Sequence, residues 1–388
     1  MPFEPSRKPD RKPPMKLYDL LAEIATEHLG EIRSDGSMNS GHNGLYHDTE
    51  TPVRNTCHWL VTFSRLFDYC ADERFENAAM ETASYLQSRD ARPHDASFHH
   101  RSVSGKDRCN GLIGQAWSIE GLAEAARVFD DADLAAVAED VFLMHPQDTR
   151  TGLWKRVEID GTILPYDATF NHQLWFAAAG GLLAELPWTS DRVNDRVECH
   201  LDSLEANVRL YPSGLIFHPL KPTWSLRRYA HLVRTDRKAR IGITFLTSTL
   251  PLRRRRAHLR QKAIGYHSFN LYAFALLKRS YPDHEFWDTL AWEKAIKYAT
   301  MSSYRERVWE NEYGSPYNPV GFEIPFTFET FERCEERNPE WIASQFDRHY
   351  SDRTAKMDRN TSDATTLTAR IYEGTRLSDV QLPLENRT

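Results

Sequence analysis

Asn110-Gly111-Leu112-Ile113-Gly114-Gln115-Ala116-Trp117 is a polar turn that runs directly into apolar residues at helical spacing. Three other stretches share its layout. Gly44-Leu45-Tyr46-His47 leads to Asn55-Thr56-Cys57-His58-Trp59-Leu60. Gly152-Leu153-Trp154-Lys155 leads to Asp167-Ala168-Thr169-Phe170-Asn171-His172-Gln173-Leu174-Trp175. Gly214-Leu215-Ile216-Phe217-His218 leads, after a long basic interval, to Tyr266-His267-Ser268-Phe269-Asn270-Leu271. The helix starts at Asn55, Asn110 and Asp167 are 55 and 57 residues apart. A period of that length is one helical hairpin per repeat, and such hairpins must stack to bury their apolar faces.

Apolar spacing extends the pattern in both directions. Met15–Leu29, Glu73–Arg89, Ala132–Leu143, Asp191–Leu210, Trp287–Tyr304 and Pro339–Tyr350 read as amphipathic helices. Asn55–Asp68, Asn110–Val128, Ala168–Leu186, Ser268–Lys278, Val320–Arg333 and Thr365–Tyr372 read as more apolar ones, with Ala177–Gly181 small enough for close helix approach. A helix apolar all round belongs inside and an amphipathic one outside. Six of each in alternation predict an all-α fold, an (α/α)6 toroid or six-hairpin barrel, with short β-like loops before the inner helices. An open solenoid is the alternative, but its concave face would expose the many inner Trp, Phe and Tyr side chains. The expected division is a disordered N-terminal arm at 1–14, a single barrel domain at 15–375 and a C-terminal tail at 376–388. A basic insertion at about 211–265 interrupts the barrel, and within it 241–252 is a strand or a short helix.

Composition narrows the class. The net charge of −6 carries no signature of nucleic-acid binding. Five cysteines without a CxxC pair argue against structural zinc or a disulfide framework. The N-terminus lacks a signal-like apolar core and no run is long enough to span a membrane. The expectation is a soluble cytoplasmic protein without metal or other cofactor, and a homo-oligomer is compatible with it.

His, Asn, Gln, Asp and Trp gather where the apolar helices begin, so in a ring they would converge at one end. The first loop supplies His47, Asp48, Glu50 and Arg54, which are either a capping and salt-bridge loop or a clamp in which Arg54 forks onto a carboxylate. Asp167, with Asn171 and His172 one turn later, is either an N-cap or a catalytic carboxylate. Glu323, between apolar neighbours in Gly321-Phe322-Glu323-Ile324-Pro325, is either paired with a base such as Arg370 or a general acid with a raised pKa. Asp363 reads as an N-cap. His58, His172 and His267 stand at three inner helix starts, and the lack of HExxH spacing argues against zinc and for hydroxyl contacts or a proton-transfer pair. Gln115, Trp117, Trp175 and Asn270 suit sugar contacts, with the core as the alternative place for Trp117 and Trp175. The Arg253–Arg256 run is a solvated face or an attractor of an anionic glycan or lipid carrier.

Asn110–Ala125 resembles the G-Q-A-W helix of the unsaturated glucuronyl and rhamnogalacturonyl hydrolases, which are (α/α)6 glycoside hydrolases. Gly44–Trp59, Asn110–Trp117, Phe170–Ala177 and Thr365–Tyr372 are similar to the archaeal N-glycosylation-cluster proteins that look like such hydrolases. The resemblance implies an enzyme acting on an anionic, uronate-containing oligosaccharide, with Asp167 as the acid at an inner helix start. Two-carboxylate hydrolysis by Asp167 with Glu323 or Asp48 is the first expectation. An epimerase or isomerase using His172 and His267 is the second, with a uronate lyase, in which Arg54 neutralises the carboxylate, as its variant. A glycan-binding protein without catalysis is the third.

Overall fold

The computed structural model describes residues 15–220 and 253–383. The expected arm at 1–14, the strand or short helix at 241–252 and the end of the tail lie outside the described residues.

The chain is mostly helical. Its inner segments are Val53–Cys70, Gly111–Phe129, Phe170–Ala184, His267–Ser280, Val320–Thr330, and Ala364–Ala369 continued as a 3-10 helix over Arg370–Arg376. Each packs on the next in chain order, and Arg370–Arg376 packs back on Val53–Cys70. Leu17–His28, Glu73–Leu86, Ala132–Met144, Asp191–Asp202, Leu290–Ala299 and Asn338–His349 each pack on one of them.

The two kinds of helix follow from their sequences. In Gly111–Phe129 every residue from Gly111 to Ala126 is buried. Glu73–Leu86 buries one face, with Phe75, Ala78, Ala79, Thr82, Ala83 and Leu86 at three- and four-residue spacing and Tyr85 beside them. The hairpin between Val53–Cys70 and Glu73–Leu86 turns in two residues: Ala71 takes a left-handed conformation (φ 53°) and Asp72 accepts a hydrogen bond from Arg74 N–H. Asp130 (φ 55°) and Asp131 repeat the device one hairpin later. Gly180 allows close approach, since a Cβ there would lie 2.5 Å from the Phe142 ring.

Three features depart from the sequence reading. Trp287–Tyr304 is split into Leu290–Ala299, which starts late because the Thr289 side chain accepts from Trp292 N–H, and Ser302–Trp309, which begins after Met301 takes an extended conformation (ψ 134°). The last inner helix becomes 3-10 at Arg370, and both arginines of that segment, Arg370 and Arg376, are buried. Within the expected tail, the described residues 376–383 pack on the barrel: Arg376 is buried, and Gln381–Leu382 pairs antiparallel with Met15–Lys16. The β-like loops are clearest before the third inner helix, where Gln147–Asp148, Leu153–Val157 and Ile163–Tyr166 form a three-stranded antiparallel sheet.

Several histidines inside this frame are neutral packing groups. His145 donates Nδ1–H to Val141 O and His200 to Gly152 O, each at 2.8 Å, and burial pulls both down to about 4. A pKa depressed on folding means that the unfolded chain binds more protons between about 4 and the ordinary value near 6.5. Stability contributed by these groups is therefore complete above that ordinary value and is lost as pH falls toward 4. Urea midpoints at pH 7 and pH 5 are expected to show a clear loss at pH 5, which His145→Gln reduces.

Candidate active site

A pocket of about 190 Å³ opens where the inner helices begin. The first helix and its loop supply Asn43, Tyr46, Asp48 and Arg54. The second supplies Arg101, Lys106, Asn110, Ile113 and Trp117, and the third Thr169, Asn171 and His172. His218 enters from the segment that bridges Thr169 to Pro219. Lys262, Tyr266 and Phe269 flank the fourth start, Tyr317 and Asn318 precede the fifth helix, and Arg370 comes from the sixth. The convergence expected from the repeats is present.

The residue types are cationic and aromatic. Arg54 sits 4.2 Å above the Trp117 ring and donates through Nη1 to Glu50 (3.1 Å) and Asn43 (3.2 Å). Asp48 accepts from Lys106 (2.5 Å) and Asn43 (3.3 Å) and pairs with Arg101 at 3.6 Å. Arg370 donates to Glu373 (2.6 and 2.9 Å), Glu323 (3.0 Å) and Asn318 (2.7 Å). Burial raises both glutamates above the carboxylate range, against the pull of Arg370.

His172 is held by Asp167. Its Nδ1–H donates to Asp167 Oδ2 at 2.8 Å, which fixes the tautomer and leaves Nε2 for the pocket. Asp167 also accepts from Leu112 N–H (3.2 Å) and Thr169 N–H (3.1 Å). Burial works to raise its pKa, but His172, Arg156 and the Leu112 N–H outweigh burial and hold the carboxyl well below the usual range. Gly111 makes room for the dyad: its φ is +62°, and a Cβ there would fall 2.5 Å from Asp167 Oδ2 and 3.1 Å from His172 Nδ1. His218, packed 4.6 Å from the Tyr266 ring, has a buried Nδ1 without a hydrogen-bond partner among the described residues. Burial, then the charge of Lys262, keeps it neutral.

Among the residues singled out from the sequence, Asp48, Arg54, Trp117, Asn171 and His172 line the pocket. Asp167 stands behind His172. The others face elsewhere for definite reasons. His47 is exposed and stacks on His42. Glu50 is the buried ion-pair partner of Arg54. Glu323, fully buried, pairs with Arg370, the base its sequence setting suggested. His58 stacks on Tyr372 with rings 4.5 Å apart. Gln115 is a staple rather than a sugar contact: it accepts from Phe98 N–H and donates to Phe98 O and Cys109 O. Gln173 does the same for Trp154 and Asp167 O in the next repeat. Trp175 is core, its Nε1–H bound to Phe269 O. Asn270 donates to Tyr266 O, and His267 lies between Ile216 N–H and Ala295 O, packed on Tyr298 and Tyr304. The histidine that shares the pocket with His172 is thus His218, not His267. Lys106, Lys262, Tyr266 and Tyr317 were missed as well. His218 was readable, since it ends the Gly214–His218 motif as His47 ends the Gly44–His47 one.

Among the described residues, no three His, Cys, Asp or Glu groups converge as metal ligands, and no helix is long and apolar enough to cross a membrane.

Several solved structures superpose on this chain. A D-mannose isomerase superposes with a TM-score of 0.61 at 12% identity, covering 93% of this chain and 96% of that one. A cellobiose 2-epimerase from Bacillus thermoamylovorans gives 0.58 at 11%, covering 92% and 99%. An α-1,6-mannanase from Salegentibacter gives 0.53 at 11%, covering 93% and 98%. The fold is therefore one shared by sugar isomerases, epimerases and mannanases. No protein-family model matches the chain. Archaeal glycosylation protein Q of Haloferax volcanii is 47% identical over 370 residues, 95% of this chain and 99% of that protein. The chain belongs to the family of archaeal glycosylation protein Q.

Proposed function

We propose that the protein is a carbohydrate-active enzyme on an (α/α)6 toroid, and that it isomerises or epimerises a sugar by proton transfer between His172, His218 and a carbon next to a carbonyl. The observation that carries the reading is the pair of imidazoles at the pocket, one oriented by an ionised Asp167 and the other neutral, its Nδ1 without a partner among the described residues. A neutral imidazole is a suitable general base near neutral pH. In the open-chain sugar it takes the proton from the carbon beside the carbonyl. The C–H electrons become the C=C bond of an enediolate, and the carbonyl oxygen takes the negative charge. For the isomer, the hydroxyl proton on the neighbouring oxygen moves to the former carbonyl oxygen and the imidazolium returns its proton to the former carbonyl carbon, so that a new C=O forms at the first carbon. For the epimer, the carbonyl re-forms where it was and a proton returns to the opposite face of the first carbon. The cations around the pocket stabilise the enediolate oxygen.

Hydrolysis of an oligosaccharide, the uronate-containing one that the sequence resemblance implies, is the second reading, and the mannanase likeness supports its hydrolytic part alone. It requires an acid and a carboxylate flanking the scissile bond. Asp48 is salt-bridged, Asp167 is held ionised behind His172, and Glu323 is committed to Arg370. The proton-transfer reading is therefore preferred.

Incubation in D2O with mono- and disaccharides, neutral and uronate, separates the two. Deuterium is expected at the carbon beside the carbonyl without new reducing ends. New reducing ends without deuterium would establish the hydrolase and overturn the proposal.

A further inference from the structure

Between Arg209 and Lys262 the sequence holds fourteen Lys and Arg and one acidic residue, Asp236, in a chain whose net charge is −6. The described part of this interval shows what surrounds that charge. Leu210, Tyr211 and Pro212 form a ridge with a groove on either side. One groove, of about 460 Å³, is walled by Leu290 and Lys294 of the helix Leu290–Ala299. The other, of about 630 Å³, is walled by Arg256, Leu259 and Arg260 of the helix Arg253–Gly265. Cationic and apolar side chains alternate on this face. Arg256 and Arg260 are exposed and one helical turn apart. Leu290 is 68% exposed, more than any other large apolar side chain among the described residues. Arg209 lies 4.3 Å above the Phe217 ring, which stacks on Tyr211. Among the described residues that line the two grooves, Glu205 is the one acid.

We propose that this face docks the protein on a bilayer surface with anionic headgroups. Charge complementarity selects a polyanion, and the apolar side chains select a bilayer among polyanions. A nucleic acid offers Leu290 nothing, whereas a bilayer takes both kinds of group. Headgroups meet the guanidinium groups while Leu290 and Tyr211 enter the boundary with the acyl chains. The arginine stems cover apolar surface at the same depth and keep their charge at the headgroups. With fourteen cations in this one interval, the rest of the chain is strongly acidic. An anionic bilayer repels that remainder, so attraction is confined to one face and the docked orientation is fixed. The helix Arg253–Gly265 also carries Lys262 to the pocket, and docking therefore holds the pocket mouth beside the bilayer.

The test is co-sedimentation of the full chain with vesicles of phosphatidylcholine, alone or with about one-third phosphatidylglycerol, at about 0.1 M salt, where charges act over about 10 Å. The mixed vesicles are expected to bind the protein at least about tenfold more tightly than phosphatidylcholine alone, because several cations each favour the anionic surface. Arg256→Glu together with Arg260→Glu is expected to weaken binding to the mixed vesicles at least about tenfold. Leu290→Ser is expected to weaken it about five- to tenfold, the worth of one partly buried leucine. All three side chains are exposed, so circular dichroism should match the wild type in both variants. Equal binding to the two kinds of vesicle, binding to neither, or wild-type binding by the double charge variant or by Leu290→Ser would overturn the docking face. Release of the wild type from mixed vesicles by poly(U) at equal phosphate concentration would overturn it too, and would make the face a nucleic-acid surface. Binding is read without sugar or turnover, so the outcome is independent of the isomerase reading.

Discussion

His172→Gln is expected to lower turnover by about 10²- to 10⁴-fold, the usual worth of a positioned general base. The fold should persist, because His172 is partly exposed and its main partner is one carboxylate oxygen. Asp167→Asn is expected to act in the same direction through the ring. An amide holds the Nδ1 proton less firmly than an ionised carboxylate does, so the tautomer that offers Nε2 to the pocket is populated less. Initial rates, with circular dichroism to verify folding, check both variants. A His172→Gln enzyme with full activity would remove the dyad from the mechanism, and an Asp167→Asn enzyme losing far more than His172→Gln would return Asp167 to the role of direct acid.

Arg370→Met is expected to destabilise the protein by about 3–5 kcal/mol, because it strands two buried carboxyl groups. Glu323 and Glu373 are both fully buried, each has one oxygen without a hydrogen-bond partner, and Arg370 supplies the bonds to the other. The same side chain ties Tyr317 O and Asn318 to the sixth inner segment, so its loss also loosens the pocket wall. Adding Glu323→Gln and Glu373→Gln to Arg370→Met should recover much of the loss, since neutral amides no longer need the cation. Urea midpoints of the single and triple variants measure this. A single variant with an unchanged midpoint would mean that the carboxyls are already protonated and need no counter-ion.

The Gln115 and Gln173 pair shows how far local pattern carries. Both occupy the same place in the repeat, two residues before a tryptophan, and that recurrence at a fixed offset is visible in the sequence. A role repeated in two successive hairpins belongs to the scaffold more readily than to a unique substrate, and both glutamines indeed fasten a loop to the helix that follows. The tryptophans after them diverge: Trp117 borders the pocket beneath Arg54, while Trp175 is sealed in the core against Phe269. Nothing in the repeat distinguishes them, because the difference lies in how each helix is rotated against its neighbours.

The sequence by itself determined the alternation of apolar and amphipathic helices, the turns between them and the end of the bundle at which polar residues collect. These depend on periodicity and capping within one segment, which are local properties of the chain. Only the tertiary structure decided which of those polar residues meet. His218 joins His172 because the segment before Pro219 bridges to Thr169, and His267 is turned away by its bonds to Ile216 and Ala295. Lys106 and Lys262 come together over Tyr46 from three stretches far apart in the chain. Such meetings follow from packing and from the rotation of each helix about its axis, and both are fixed by contacts between elements rather than by the order of residues within one.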